Sequence, residues 1–346
     1  MKKYNVAIMG ATGAVGQEFL NLIEERGFPF AELRLLASSR SAGKKIEFMG
    51  KTYTVQETRA DSFEGIDIAL FAGGSASKTF APAAVKAGAV VIDNSSTFRM
   101  DPEVPLVVPE VNPEALKGHK GIIANPNCST IIMVMALKPL RDLAPIKRVV
   151  VSTYQAVSGG GKEAMVELEQ QVADIVADKP VTANILPGAS LKKHYQIAFN
   201  LIPQIDVFKE NLYTKEEMKM IDETRKILSE PDLRVTATTI RVPVYRSHAE
   251  SVNIEFAQDV TVEAARRAID AFPGARLNDN PDEQAYPMPL FTSGKDDVEV
   301  GRIRRDESLE HGLNLWVCGD QIRKGAALNA LQIAEYMIEK DMLQQG

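Results

Sequence analysis

Apolar positions in the first third of the chain switch between two periods. Val6-Ala7-Ile8-Met9 is a short continuous apolar run, Val15 to Arg26 places apolar residues three and four apart, and Leu33-Arg34-Leu35-Leu36-Ala37 is again mostly apolar. Strand, amphipathic helix and strand in that order make a βαβ unit, whose parallel strands require a right-handed helical crossover. Further runs at Ile66 to Ala72, Val90-Val91-Ile92 and Gly121 to Ala124 end at small or polar residues and read as more strands of one sheet. This half is expected to be doubly wound.

From about Lys147 the pattern changes. Longer β-rich runs, Arg148 to Tyr154, Val235 to Val244 and Ser251 to Phe256, are separated by helical spacing over Gly161 to Ala177 and Lys215 to Leu228. A second, α+β domain is expected. The last segment, Lys324 to Leu343, carries Leu328, Leu331, Ala334, Met337 and Ile338 at helical spacing. Periodicity alone leaves open which domain it covers.

At 346 residues, with 45% hydrophobic and 25% charged positions, the chain has the size of two domains and an ordinary globular composition. A net charge of -6 argues against a polyanion-binding surface, so no nucleic acid partner is expected. The start, Met1-Lys2-Lys3-Tyr4-Asn5, lacks the apolar core of a signal peptide, and no apolar run reaches membrane-spanning length. The two cysteines, Cys128 and Cys318, are far apart in sequence, which suits a reducing compartment better than a disulfide framework. A cytoplasmic protein is expected, with no metal and no membrane partner.

Between the first strand and helix lies Gly10-Ala11-Thr12-Gly13-Ala14-Val15-Gly16. Such a turn lets the backbone approach a pyrophosphate at a helix N-terminus, although the spacing is G-x-x-G-x-x-G and a purely packing role for the glycines is the alternative. The second strand ends in Ser38-Ser39-Arg40-Ser41, where an NAD enzyme usually places an acid for the ribose hydroxyls. Hydroxyls and a guanidinium suit a 2′-phosphate, so NADP is the expected cofactor. Small-residue turns at Gly73 to Ser75 and at Asn94-Ser95 follow later strands and are candidate cofactor walls.

Asn125-Pro126-Asn127-Cys128-Ser129-Thr130 follows a strand and precedes the apolar helix Ile131 to Leu137. A thiol there faces the positive end of a helix dipole, which favours the thiolate. Cys318, within Leu315-Trp316-Val317-Cys318-Gly319, reads as a buried structural cysteine.

These segments, together with Ser152 to Gly159 and Arg241-Val242-Pro243-Val244-Tyr245-Arg246-Ser247-His248, resemble aspartate-semialdehyde dehydrogenase, and the resemblance covers essentially the whole chain. It implies a Rossmann-type dinucleotide-binding domain, residues 1–127 and 321–346, and an α+β catalytic and dimerisation domain, residues 128–320, together similar to glyceraldehyde-3-phosphate dehydrogenase. The C-terminal helix would then return to the cofactor domain. The implied reaction interconverts L-aspartate 4-semialdehyde and phosphate with 4-phospho-L-aspartate, using NADP, in a homodimer of the lysine, threonine, methionine and diaminopimelate pathways.

By the same resemblance Cys128 is the nucleophile and His248 its acid/base partner, whose ordinary pKa lies near working pH. Gln155 orients the substrate, Arg241 clamps its carboxylate, Glu216 meets its amine, and Asn127 adjoins it. Arg99 and Lys219 bind phosphate; without the family, Glu216 and Lys219 would read as an exposed helical ion pair. Ser158 and Gly159 would lie near the nicotinamide. Gln321 would contact the cofactor at a position where Asn is more often expected. A related reading, N-acetyl-gamma-glutamyl-phosphate reductase, fits less well because its cysteine motif resembles Pro-Gly-Cys-Tyr-Pro. A catalytically silent NADP-binding sensor should lack the nucleophile or its partner, and both are present.

Overall fold

The computed structural model describes residues 2–72 and 74–343. The chain forms two compact units, Met1–Asn127 with Gly325–Gly346, and Cys128–Lys324.

The first unit runs β1 (Tyr4–Met9), α1 (Ala14–Glu25), β2 (Phe30–Ala37), β3 (Lys45–Phe48), β4 (Lys51–Thr54), β5 (Gln56–Glu57), β6 (Ile68–Phe71), α2 (Ser77–Lys86), β7 (Val90–Asp93) and β8 (Ile122–Ala124). β3 and β4 form a separate antiparallel hairpin. The other strands make one sheet in the order β5-β2-β1-β6-β7-β8, parallel throughout. Its central strands are continuous apolar runs because both faces are covered. Val6 and Ile8 of β1 pack into one core with Phe19 and Leu22 of α1, while Ala7 and Met9 pack into another with Phe71, Ala81 and Ala84. Strand order reverses between β1 and β6, which makes the crevice beyond their carboxyl ends the natural ligand position.

The second unit opens with α3 (Cys128–Arg141), followed by β9 (Ile146–Gln155), α4 (Lys162–Val176), α5 (Lys215–Leu228), β10 (Arg234–Arg241), β11 (His248–Phe256), α6 (Val262–Asp270), β12 (Ala275–Leu277), α7 (Pro289–Thr292), β13 (Val298–Arg305) and β14 (Gly312–Gly319). Its sheet has the order β10-β9-β11-β14-β13-β12, mixed in direction. Val149, Val151, Val252, Ile254, Leu313 and Leu315 alternate into the buried face. α3, apolar nearly all round and buried from Ser129 to Leu137, packs against α5, α6 and this sheet. The opposite face is half-exposed and carries Ser152, Tyr154, Ser251, Asn253 and Trp316, with the Tyr154 and Trp316 rings 5.3 Å apart.

The last helix, α8 (Leu328–Glu339), is entered through a π-helical turn at Arg323–Ala327. Leu331, Ala334 and Met337 join the core that holds Val6 and Ile8. Arg26 at the end of α1 grips Glu335 through two hydrogen bonds of 2.8 and 2.7 Å.

Two of the strand ends that differ from the pattern in the sequence matter for the site. β10 stops at Arg241, where Val242-Pro243-Val244 turns away, since Pro243 has no N–H to continue a ladder. β11 starts at His248, three residues before the alternating run. The β3–β4 hairpin, β5, β12, β13 and β14 are not marked as strands by the pattern in the sequence; β13, Val-Glu-Val-Gly-Arg-Ile-Arg-Arg, interrupts its alternation with Gly301 and ends in charge. That glycine is demanded by crowding, because a Cβ there would lie 2.1 Å from the Asn278 carbonyl oxygen.

Candidate active site

In the first unit the chain leaves β1 through Gly10, whose φ of +86° lies in the left-handed region, and an added Cβ would also approach that of Ala72 to 3.0 Å. Gly16 answers a different need: a Cβ there would sit 2.2 Å from the Gly10 carbonyl oxygen, so α1 packs on the turn only without one. Gly13 caps α1 with no side-chain hydrogen bond, which leaves the first-turn N–H groups facing outward from a positive helix end. A cavity of about 610 Å³ opens there, walled by Gly10, Thr12 and Gly13, by Ser38, Ser39 and Arg40 beyond β2, and by Gly74 and Ser75 after β6. Thr12 Oγ1 donates to Ser41 Oγ at 3.4 Å, joining two of these walls.

Other expected cofactor residues either do not line this cavity or lie outside the described residues. Ala14, Val15 and Gly16 belong to the first turn of α1, and Gly73 lies outside the described residues. Asn94 donates from Nδ2 to the Phe71 carbonyl at 2.8 Å, and its Oδ1 accepts from Asn125. Ser95 donates to the buried Asp93 carboxylate. These two side chains brace the strand ends. Arg99 does likewise, donating from Nε to the Asn125 carbonyl at 2.9 Å and from Nη2 to that of Asn94 at 2.8 Å. Asn127, buried, is the last residue of this stretch. Sequence reading missed Glu57, which comes from β5 to line the cavity and pairs with Arg59 at 2.9 Å. Its signal was hidden because β5 has only two residues.

In the second unit, topology gathers side chains from distant sequence. β9 and β10 are parallel and in register, so their last residues, Gln155 and Arg241, are neighbours. β11 is antiparallel to β9, so its first residue, His248, falls at the same end. Cys128, half-buried, is the first residue of α3, with no acidic residue in that first turn. α5 adds Glu216, whose Oε1 accepts from Gln155 Nε2 at 3.3 Å and Oε2 from Lys219 Nζ at 2.9 Å. A capping box aims this helix: Thr214 accepts from the Glu217 N–H, and Glu217 accepts from the N–H groups of Thr214 and of Thr239 on β10.

The charges in this cluster are strongly coupled. Burial pulls the Arg241 pKa down, opposed by attraction to Glu216 and then Cys128. Burial, and next the Arg241 charge, push the His248 pKa down to about 3, with Glu216 and the Ser247 backbone opposing. The imidazole is therefore held in its neutral form in the folded site, its pKa well below the ordinary imidazole value. Burial moves Cys318 the other way, raising its thiol and leaving it inert.

One backbone turn registers both functional side chains. The Ala156 N–H donates to His248 Nδ1 at 3.0 Å, so Nδ1 is the unprotonated nitrogen and the neutral ring carries its proton on Nε2. The Ala156 carbonyl accepts from Arg241 Nη1 at 2.7 Å. Gly159 closes over both, since a Cβ there would stand 2.7 Å from Arg241 Nη1 and 3.4 Å from His248 Cε1. Among the described residues His248 Nε2 and Arg241 Nε have no hydrogen-bond partner. Ser158, on the same turn, is bonded to Gln321.

No group of three or more His, Cys, Asp or Glu among the described residues could hold a metal ion. No described helix is long and apolar enough to cross a membrane.

The sequence was compared with known proteins. Residues 5–119 match the semialdehyde dehydrogenase NAD binding domain, and residues 137–324 match the semialdehyde dehydrogenase dimerisation domain. The aspartate-semialdehyde dehydrogenase of Synechocystis sp. is 55% identical over 339 residues, 98% of each chain. A crystal structure of aspartate semialdehyde dehydrogenase II from Vibrio cholerae, complexed with ASA, is 47% identical, covers 98% of this chain and 99% of its own, and superposes with a TM-score of 0.91. An aspartate semialdehyde dehydrogenase from Candida albicans, solved with NADP, is 27% identical, with a TM-score of 0.76 over 99% of this chain and 100% of its own. With two matched domains, a nucleotide-binding sheet and near full-length relatives, the chain belongs to the aspartate-semialdehyde dehydrogenase family.

Proposed function

We propose that the protein carries out the reversible, NADP-dependent reductive dephosphorylation of 4-phospho-L-aspartate to L-aspartate 4-semialdehyde, through a thioester on Cys128. The observation that carries this reading is the convergence of Gln155, Arg241 and His248 at one end of a sheet, with Cys128, at a helix N-terminus, close enough for its charge to act on Arg241. In this reading the first unit holds the cofactor, and the second performs catalysis and dimerisation.

The cavity of the first unit fits a dinucleotide. Gly10, Gly13 and the uncapped start of α1 suit a pyrophosphate, and Ser38, Ser39 and Arg40 suit a ribose 2′-phosphate. When bound, the nicotinamide supplies the hydride that reduces the thioester carbon, and accepts it in the reverse direction.

The remaining chemistry belongs to the chain. Arg241 gives Nη1 to Ala156, so its Nε and Nη2 edge is left to hold the substrate carboxylate with two parallel hydrogen bonds. Glu216 meets the substrate ammonium, Gln155 orients the reacting carbonyl, and Lys219 receives phosphate. Cys128 Sγ forms a bond to the acyl carbon of 4-phospho-L-aspartate while the carbon–oxygen bond breaks and phosphate leaves with the electron pair. After reduction, the negative oxygen on the tetrahedral carbon accepts a hydrogen bond from His248 Nε2–H, a neutral donor that fits a developing oxyanion. Breaking the carbon–sulfur bond returns the electron pair to Sγ and frees the aldehyde.

This activity is an amino-acid biosynthetic step toward lysine, diaminopimelate, threonine and methionine, in the cytoplasm. The half-exposed sheet face bearing Tyr154 and Trp316, inside the region matched by a dimerisation domain, supports a homodimer.

The test is phosphate-dependent reduction of NADP by the purified protein, comparing L-aspartate 4-semialdehyde with N-acetylglutamate semialdehyde. Turnover with only the first is expected. Preference for the acetylated substrate, or silence with both, would overturn the proposal.

A further inference from the structure

We infer that Gln321 is a positioning residue for His248, tying together the backbone segments on either side of the imidazole through one side-chain amide. The inference rests on the catalytic reading of His248 given above and deepens it.

The amide is used at both ends. Gln321 Oε1 accepts from the Ser247 N–H at 2.7 Å, and its Nε2 donates to Ser158 Oγ. Ser247 immediately precedes His248; Ser158 lies two residues beyond Ala156, whose N–H fixes His248 Nδ1. The bonds close a ring: Gln321 to Ser247, along the chain to His248, across to Ala156, along to Ser158, and back to Gln321. Ser247, Ser158, His248 and Gln321 are all buried, so no bond in the ring is readily exchanged for water.

Ser247 is where the ring is under strain. Its φ is +75°, a left-handed value that a residue with a Cβ seldom adopts unless its surroundings impose it. Gln321 holds its N–H, while its hydroxyl is shared with Thr292 Oγ1 at 2.5 Å and donates to the Gly319 carbonyl at 3.0 Å. The neighbour of Gln321 anchors the other end: Asp320, fully buried, accepts from Arg246 Nε at 2.5 Å and from the N–H groups of Gly294 and Ile322. This bent backbone sets the position of the His248 Cα, and Ala156 sets the rotation of its ring.

Length requires a side chain of this reach, and burial favours the neutral amide over a charged carboxylate. An asparagine is shorter by one methylene, about 1.5 Å along the chain, and cannot keep both bonds. A glutamate cannot donate to Ser158. Gln321 Nε2 has a second hydrogen, so a cofactor contact and the positioning role are compatible.

The test uses Gln321→Met, which keeps length and volume and loses both bonds, with Gln321→Asn as a milder variant should the first fold poorly. Steady-state kinetics with semialdehyde, phosphate and NADP are combined with 15N spectra of imidazole-labelled protein, which contains only four histidines. In the unaltered protein His248 is expected to show Nδ1 bare and Nε2 protonated. Gln321→Met should lower kcat about 10-fold or more, as expected for a displaced reacting group, leave the KM values for semialdehyde and phosphate within about 2-fold, and mix the His248 tautomers. Ser158→Ala should lower kcat too, and the double variant should be no worse than the poorer single one.

An increased KM for NADP with unchanged kcat and an unchanged His248 spectrum would make Gln321 a cofactor contact alone and overturn the inference. Multiplying effects of the two variants would also overturn it, because the ring would not be closed. The spectrum needs no substrate, so absence of semialdehyde turnover in the unaltered protein would sink the proposed activity and leave the positioning test standing.

Discussion

Glu250 is a buried acid whose removal should stabilise the protein, increasingly so as pH rises. It lies on β11 two residues beyond His248, opposite Thr153 and Val317, fully buried, and neither carboxyl oxygen has a hydrogen-bond partner among the described residues. Burial alone raises its pKa well above the ordinary 4.5. Above pH 4.5 the unfolded chain releases this proton while the native state keeps it. The unfolded state then binds fewer protons, so stability is full below 4.5 and falls as pH rises toward the native pKa. Each pH unit in that window costs about 1.4 kcal/mol. Glu250→Gln keeps the shape and abolishes the titration. An unsatisfied amide adds a constant cost of about 1–3 kcal/mol, which shifts the intercept and not the slope. Urea unfolding at pH 5, 6, 7 and 8, followed through the single tryptophan, Trp316 of the same unit, reads the difference. Its slope should be about 1.4 kcal/mol per pH unit in favour of the variant until the native carboxyl ionises. A difference that stays flat from pH 5 to 8 would refute the argument, since the native and unfolded pKa values would then coincide.

The other predictions concern the site itself. Cys128→Ala should abolish turnover with NADPH binding retained, and a thiol reagent at neutral pH should modify the half-buried Cys128 well before Cys318, whose thiol burial raises; equal labelling rates would refute the assignment. Because His248 is held neutral down to about pH 3, the kcat profile should show no acidic limb near 6.5 that disappears in His248→Asn; such a limb would show that the imidazole titrates normally. Arg40→Ala should weaken NADP by about 10-fold and NAD much less, reflecting one lost charge-assisted contact, as measured by cofactor titration; equal weakening would remove the 2′-phosphate contact.

The parts legible in the sequence are those where local pattern and global fold agree. The glycine turn after β1 and the cysteine opening an apolar helix each combine a local signal with a local structural demand, as Gly16 shows through its contact with the Gly10 carbonyl. Other parts depend on register between remote strands. No spacing in the sequence brings Gln155 beside Arg241, or carries Gln321 back to Ser247; those contacts exist because β9, β10, β11 and β14 end together. β11 shows why the pattern failed where it did. Val252, Ile254 and Phe256 alternate with polar residues, and that alternation stops on reading back to Ser251, so the strand was expected to begin there. The buried face continues to Glu250 and His248, two ionisable residues at positions where the pattern calls for apolar ones. Burying them costs stability, and a sequence selected for stability alone would fill those positions with apolar side chains. Under the proposed function, the oxyanion that its Nε2–H would meet supplies the reason for His248. The cost at Glu250 is borne on the same strand, and its steep pH dependence makes that cost the more accessible of the two to direct measurement.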